Sequence, residues 1–403
     1  MKEKVILAYS GGLDTTTIIP WLLENYDYDI ICCCINLGQA EELDGLEKRA
    51  LDSGAKKLYI LDVQDEYVND YIFPTMAADA VFEYKYLLGT ATARPLIAKK
   101  LVEIAEKEGA TAICHGATGK GNDQIRFELG IKALNPNLKI IAPWRIWNIT
   151  SRQESIDYCQ KHGIFLPFSA DTSYSRDRNI WHISHEGLEL EDPANTPNYG
   201  HLLVLSTPPE NTPDEPEHVE IEWEKGIPVK LNGIKMSGRQ IIENLNKIGG
   251  KHGIGIIDIV ENRVVGMKSR GVYETPGGTI LMEAHRQLEE LVLDRETLKY
   301  KRLVSVEFAE IVYAAKWFSP LREALSAFVT ETQKVVSGIT KFRLYKGNII
   351  REGTTSPFTL YDEDIASFTT GDLYDHHDAE GFINLYGLST KVRALKEARR
   401  KKK

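Results

Sequence analysis

The 403-residue sequence contains no run approaching the roughly 18 consecutive apolar residues that a transmembrane helix requires. Its first apolar run, Val5-Ile6-Leu7-Ala8, follows Met1-Lys2-Glu3-Lys4. That run is too short for the core of a secretory leader, and nothing after it resembles a cleavage site. Cysteine is scarce, five residues in all, and no C-x-x-C occurs. Neither a zinc knuckle nor a dithiol redox pair is therefore indicated. Three of the five, Cys32-Cys33-Cys34, are consecutive and read as small buried hydrophobes of a strand. Net positive charge is lacking too: the balance is −9, which argues against a protein built mainly to hold nucleic acid. Lys391 to Lys403 is the exception, with eight Lys or Arg against one Glu. It reads as a solvated helix end in preference to an RNA- or membrane-binding tail. There is no internal repeat and no low-complexity tract. These absences describe a cytosolic globular protein.

What is present is an alternation of short apolar runs and amphipathic stretches, the pattern of a parallel sheet covered by helices. Val5 to Tyr9, Asp29 to Leu37, Lys57 to Val63, Ala110 to His115 and Leu138 to Pro143 are the expected strands. Thr15 to Asn25, Glu41 to Ser53, Arg94 to Glu108, Gln124 to Ala133 and Arg152 to His162 are the expected helices. Pro20 should kink the first of these unless it is short. The expected fold is α/β: a doubly wound parallel sheet in residues 1–167, then an α+β domain in 168–360 and a helical tail in 361–403. In the second part Glu217 to Leu231, Gly255 to Val265 and Lys341 to Arg351 read as strands, the last turning at Lys346-Gly347-Asn348. Gly238 to Asn246, Ile280 to Val292, Glu296 to Phe318 and Pro320 to Thr332 read as helices. Asp192 to Pro216 is rich in Pro, Asn and Thr and reads as a long loop or a packed arm. Ser389 to Lys403 has helical composition.

The chemistry concentrates where the first strand ends. Val5 to Tyr9 runs into Ser10-Gly11-Gly12-Leu13-Asp14-Thr15-Thr16 and then a helix. Glycines let backbone N–H groups approach an anion, the helix dipole adds positive potential, and Ser10, Thr15 and Thr16 offer hydroxyls. Asp14 is placed to reach a magnesium ion. The alternative is a tight turn with Ser and Asp as helix caps. The loop lacks the lysine of a Walker A sequence, and Gly116-Ala117-Thr118-Gly119-Lys120-Gly121 has the wrong glycine spacing for one. It does follow a strand, so two glycine-rich loops are expected at strand C-termini, where open α/β sheets bind ligands.

Ala8 to Thr16 resembles the pyrophosphate loop of N-type ATP pyrophosphatases and, within them, of the argininosuccinate synthase family. The narrower resemblance rests on Tyr86-Leu87-Leu88-Gly89-Thr90 through Ala93-Arg94-Pro95 and on the block from His115 to Glu128. It also rests on Trp181-His182-Ile183-Ser184, Glu186-Gly187, Glu191-Asp192-Pro193, and Gly266 to Pro276. The matches keep the family's order.

The resemblance implies an ATP-dependent ligase joining citrulline and aspartate through a citrulline adenylate, with Mg2+ on the phosphates and a homotetrameric assembly. It assigns Ala8, Tyr9, Ser10, Gly11, Gly12, Leu13, Asp14, Thr15, Thr16, Ile35 and Gly116 to ATP. Tyr86, Ala91, Asn122, Arg126, Ser175, Ser184, Glu261 and Tyr273 fall to citrulline, and Thr118, Asn122 and Asp123 to aspartate. Ser10, Asp14 and Asp123 carry the catalytic expectation. Ala91 stands where the family usually has a hydroxyl, which removes a side-chain bond worth about 0.5–1.5 kcal/mol.

Local chemistry leaves blander readings open: Arg126 and Glu128 as surface charges, Asn122-Asp123 as a helix cap, and Glu261-Asn262 as a hairpin turn. Neither His182 with His185 nor Asp375-His376-His377-Asp378 is read as a metal site; Trp181 and Ser184 suit a substrate loop better. The rival functions are another N-type ATP pyrophosphatase, or a non-catalytic nucleotide- or RNA-binding protein. The first lacks an ammonia-generating nucleophile here, and the second is hard to square with Ser10, Asp14, Asn122, Asp123 and Arg126 together.

Overall fold

The computed structural model describes residues 2–39, 43–119, 121–164, 174–366 and 375–402. The expected helix start at Glu41 and the expected boundary at residue 167 lie outside the described residues. The chain divides into two compact units, Met1–Phe358 and Thr359–Lys403.

In the first unit β1 (Glu3–Ala8), β2 (Tyr28–Asn36), β3 (Lys57–Asp62), β4 (Ala112–Cys114) and β5 (Lys139–Ile141) form a parallel sheet in the order β3-β2-β1-β4-β5. Between them run α1 (Leu13–Asn25), α2 (Leu46–Asp52), α3 (Gln64–Tyr67), a π turn (Val68–Ile72), α4 (Phe73–Ala77) and α5 (Gly89–Glu108). Then come α6 (Asp123–Leu134) and α7 (Arg152–Lys161). Successive strand residues point to opposite faces. Ile31, Cys33 and Ile35 therefore pack in the core that holds Leu96 and Leu101 of α5. Ile30, Cys32 and Cys34 pack with Ile18, Leu22, Leu46 and Ala50 of α1 and α2. The cysteine run is thus divided between the two layers of a doubly wound domain, buried as the composition suggested.

Strand order reverses between β1 and β4, which places the residue 10–12 loop beside the Gly116 loop at the strand C-termini. α1 continues through Pro20. α5 begins five residues before the expected Arg94 and carries Pro95 inside it. A Cβ on Gly89 would lie 2.3 Å from the His182 ring, so the start of α5 sits directly on that imidazole.

Beyond residue 174 the strands are antiparallel. They are β6 (Ser175–Arg178), β7 (Ile183–Glu186), β8 (Glu217–Glu224), β9 (Ile227–Leu231), β10 (Ile234–Lys235), β11 (Ile256–Asn262), β12 (Lys268–Glu274), β13 (Gly338–Tyr345) and β14 (Asn348–Thr355). One sheet has the order β11-β12-β7-β6, the other β10-β9-β8-β13-β14. The helices here are α8 (Tyr199–Leu202), α9 (Gly238–Lys251), α10 (Pro276–Val292), α11 (Arg295–Tyr313) and α12 (Pro320–Thr332).

Three expectations change. Glu217 to Leu231 is a hairpin, not one strand, because Lys225 (φ 49°) and Gly226 (φ 79°) turn left-handed. α11 stops at Tyr313, ahead of Phe318, where Ala315 takes φ 65°. His182 and His185 lie at and on strand β7, not on a substrate loop. Both are fully buried, and their Nε2 atoms take different partners, Thr90 at 3.1 Å and Glu274 at 2.7 Å.

Glu274 explains how the Pro-rich connection is held. Its buried carboxylate accepts the N–H groups of Val204 (2.8 Å), Leu205 (2.8 Å) and Ser206 (2.6 Å) as well as the His185 bond. Removing it leaves four donors without their acceptor, two of them, the Ser206 N–H and the His185 ring, buried. Glu274→Ala should cost about 3–5 kcal/mol, read as a lowered urea midpoint; a midpoint within experimental error of wild type would contradict this anchoring role.

The second unit contains α13 (Glu363–Ala366), α14 (Asp378–Tyr386) and α15 (Leu388–Lys401), with no buried residue among those described. Phe382, Ile383, Leu385 and Tyr386 are all exposed. Among the described residues no helix is long and apolar enough to cross a membrane.

Candidate active site

The glycine loop leaves a helix start open. Gly11 has φ +77°, and a Cβ there would lie 2.1 Å from Leu46 Cδ1, so only glycine fits. Gly12 is the N-cap of α1, and no side chain caps the first-turn N–H groups. Ser10 Oγ accepts the Gly12 N–H at 3.3 Å and bonds Thr15 Oγ1 at 3.1 Å, tying the turn together. A Cβ on Gly116 would touch Ile18 and Thr15 at 3.2 Å, so the second glycine-rich loop packs directly on α1.

Not every expected hydroxyl faces this opening. Thr16 is fully buried and bonds Tyr9 Oη at 3.2 Å; helical phase turns it inward, away from any phosphate. Leu13 packs with Cys159 and Ile164. Ile35 lies in the core, its carbonyl accepting Gln39 Nε2 at 2.8 Å. Asp14 makes no hydrogen bond or ion pair among the described residues, and burial, only partly opposed by Arg152, raises its pKa.

Beside Gly116 opens a cavity of about 270 Å³. Ten expected residues line it: Tyr86, Gly116, Thr118, Asn122, Asp123, Arg126, Ser175, Ser184, Glu261 and Tyr273. One wall is the Gly116 loop with the start of α6, and the facing wall is the β11-β12-β7-β6 sheet. Register explains part of that second wall, since Ser184 pairs with Asp177 on one side and Tyr273 on the other. Ala91 is not part of the lining: its methyl is 1% exposed in the core, and Thr90 lines the cavity in its place.

The bland alternatives fail at several of these positions. Asn122 is the N-cap of α6 but caps nothing. Its amide bridges elements instead, donating to Tyr313 Oη at 2.9 Å and accepting the Val264 N–H at 2.9 Å. Arg126 is buried, not a surface charge: it donates to Asp123 Oδ1 at 3.2 Å, and its Nε has no partner. Glu128 is tied to His115 and Arg145, which hold its pKa down at about 2. Glu261 belongs to strand β11, not a turn, and its Oε2 is buried without a partner. Burial raises the Glu261 pKa against the pull of Arg126. Burial also pushes the Tyr86 phenol up to about 12.

Asp123 is gripped from two sides. Arg94 donates Nε at 3.0 Å and Nη2 at 2.8 Å to its Oδ2, while Arg126 holds Oδ1. Burial alone would raise its pKa, but the two guanidiniums outweigh that and hold it below the ordinary carboxyl range. The cavity is therefore amphoteric, with carboxylates and guanidiniums on facing walls. Such a lining can bind α-amino acids, which carry an ammonium and at least one carboxylate.

Sequence reasoning missed Thr90, Arg176, Asp177, Glu186 and Arg263, all in the lining. A period of two would have found three of them: Asp177, Glu186 and Arg263 stand two residues after Ser175, Ser184 and Glu261. Once those stretches are known as strands or their continuations, such neighbours share a face.

Two family models match the chain. The argininosuccinate synthase N-terminal HUP domain covers residues 4–165, and the argininosuccinate synthase C-terminal domain covers 174–393. The chain belongs to the argininosuccinate synthase family. The argininosuccinate synthase of Lachnoclostridium phytofermentans is 71% identical over 99% of this chain and 98% of its own length. That of Lachnospira eligens is 70% identical over 100% of this chain and 99% of its own. Against this family background the core placement of Ala91 matters, since the position has no side chain at the cavity surface to lose.

Proposed function

We propose that the chain is an ATP-dependent ligase that condenses L-citrulline with L-aspartate to argininosuccinate, releasing AMP and diphosphate, for arginine biosynthesis. The observation that carries this reading is the amphoteric cavity opening beside Gly116, against an uncapped helix N-terminus. Residues 8–16, with Gly116 and the backbone near Ile35, bind ATP. Tyr86, Asn122, Arg126, Ser175, Ser184, Glu261 and Tyr273 hold citrulline, with Arg126 on a carboxylate and Glu261 on an ammonium, and Ala91 contributes backbone only. Thr118, Asn122 and Asp123 hold aspartate, Asp123 meeting its amine.

The ureido oxygen attacks the α-phosphorus, diphosphate leaves, and the resulting citrulline adenylate is attacked at carbon by the aspartate amine, which displaces AMP. Catalysis is positioning and charge stabilisation. Cys114 offers no covalent route, because it is fully buried and burial pushes its thiol well up. Asp14, desolvated and without a partner among the described residues, would help to hold Mg2+, which would neutralise charge on the leaving diphosphate. Among the described residues no cluster of His, Cys, Asp and Glu could hold a metal by itself.

Residues 1–167 serve as the nucleotide domain, 168–360 as the synthetase domain and 361–403 as an oligomerisation arm of a cytoplasmic homotetramer. The exposed Phe382, Ile383, Leu385 and Tyr386 support the last assignment. The chemical route has a direct test. Citrulline carrying heavy oxygen in its ureido group should deliver the label to AMP, seen by mass spectrometry. Unlabelled AMP, or ADP as the nucleotide product, would rule the mechanism out.

A further inference from the structure

One hydrogen-bonded line runs along the cavity wall and ends on Asp123. Asp177 Oδ2 accepts from Thr90 Oγ1 at 2.7 Å and from Arg94 Nη2 at 2.8 Å. The same Nη2 also reaches Asp123 at 2.8 Å. Thr90 has a single proton and spends it on Asp177, so its oxygen accepts from His182 Nε2 at 3.1 Å. Burial holds His182 neutral, with its pKa lowered to about 4, and its Nδ1 has no partner; the ring therefore carries its proton on Nε2. His182 thus donates to Thr90, and Thr90 and Arg94 donate to the carboxylates.

We propose that Asp177 is a positioning residue that acts through Arg94: its charge shares the guanidinium between two carboxylates, so that Asp123 keeps enough negative charge to hold an amine. The inference rests on the reading that Asp123 meets the amine of aspartate. Arg94, Arg126, Asp123 and Asp177 together sum to zero charge. Without the Asp177 charge the group becomes cationic, and Arg94 turns its whole charge on Asp123. The ammonium of an arriving aspartate is then repelled, while ATP at the glycine loop is not, and citrulline keeps both of its charge partners, Arg126 and Glu261.

The test is Asp177→Asn, which keeps an acceptor oxygen for Thr90 and Arg94 and removes only the charge. The KM for L-aspartate should rise about tenfold or more, with citrulline-dependent exchange of labelled diphosphate into ATP, measured without aspartate, within about twofold of wild type. Thr90→Val, which removes one donor from Asp177 but keeps its charge, leaves that charge freer to draw Arg94 from Asp123 and should not raise the aspartate KM; a rise there overturns the inference, and this variant serves if Asp177→Asn does not fold. For Asp177→Asn, an unchanged aspartate KM overturns the inference, as does exchange falling in step with ligation. Wild-type protein without citrulline-dependent exchange would overturn the reading of the site, and the inference with it.

Discussion

Asp123→Asn should lower argininosuccinate formation by roughly 100- to 1000-fold, the scale of losing one partner of a close, desolvated charge pair. The carboxylate is an anion at working pH because Arg94 and Arg126 hold its pKa down. That makes it a good partner for an ammonium and a poor base, which fits the proposed role of collecting and aiming the amine rather than taking its proton. Asparagine keeps the shape but turns an N–H group toward guanidinium donors. Adenylation needs no aspartate. Exchange of labelled diphosphate into ATP with citrulline should therefore survive within several-fold of wild type, per unit of folded enzyme. The normalisation matters because the mutant leaves two largely buried guanidiniums less compensated, and a lower melting temperature is expected. Exchange and ligation falling together would mean that Asp123 shapes the Gly116 loop and does not select the amine.

How far this site was legible follows from the periodicities involved. The parallel sheet announced itself because strands buried on both faces read as continuous apolar runs, as Ile30 to Ile35 does. The facing wall did not. Ser175–Arg178 has no apolar residue at all, and Lys268–Glu274 begins with three polar ones. Ser175 to Asp177 line the polar cavity, and Lys268 and Arg270 pair with Asn262 and Asp258 on β11, so neither stretch shows the apolar alternation that marks a strand. The same cause hid Asp177 and Arg263, whose importance depends on a strand face that composition does not reveal. The helical stretch from Gln64 to Ala77 was missed for a different reason: the π turn at Val68–Ile72 breaks the 3.6-residue spacing. Arg94 was visible in the sequence, but only tertiary packing sets it between Asp123 and Asp177. Tyr9 and Thr16 show the reverse case: within the same motif their hydroxyls meet each other in the interior instead of facing the opening.

Asp14→Asn should separate stability from activity. Asp14 sits in the first turn of α1, where a carboxylate ordinarily helps through the helix dipole. Here it caps nothing, has no partner among the described residues, and is desolvated enough that its pKa is raised. A folded pKa above the unfolded value near 3.9 means that the native state binds the extra proton. The carboxylate therefore costs nothing at pH below the unfolded pKa, and its penalty grows as pH rises through the folded one. Asparagine, which caps helices about as well, removes that penalty. The mutant should melt higher than wild type at pH 7 without nucleotide, and the gap should close as pH falls toward about 4. Turnover should move the opposite way, by roughly 100-fold or more, with a higher Mg2+ requirement, as the proposed contact between Asp14 and Mg2+ demands. A group kept at a cost to the empty fold and needed only with substrate bound is the mark of a functional charge. Normal turnover in the mutant, or a melting temperature below wild type at pH 7, would reduce Asp14 to an ordinary residue of the helix start.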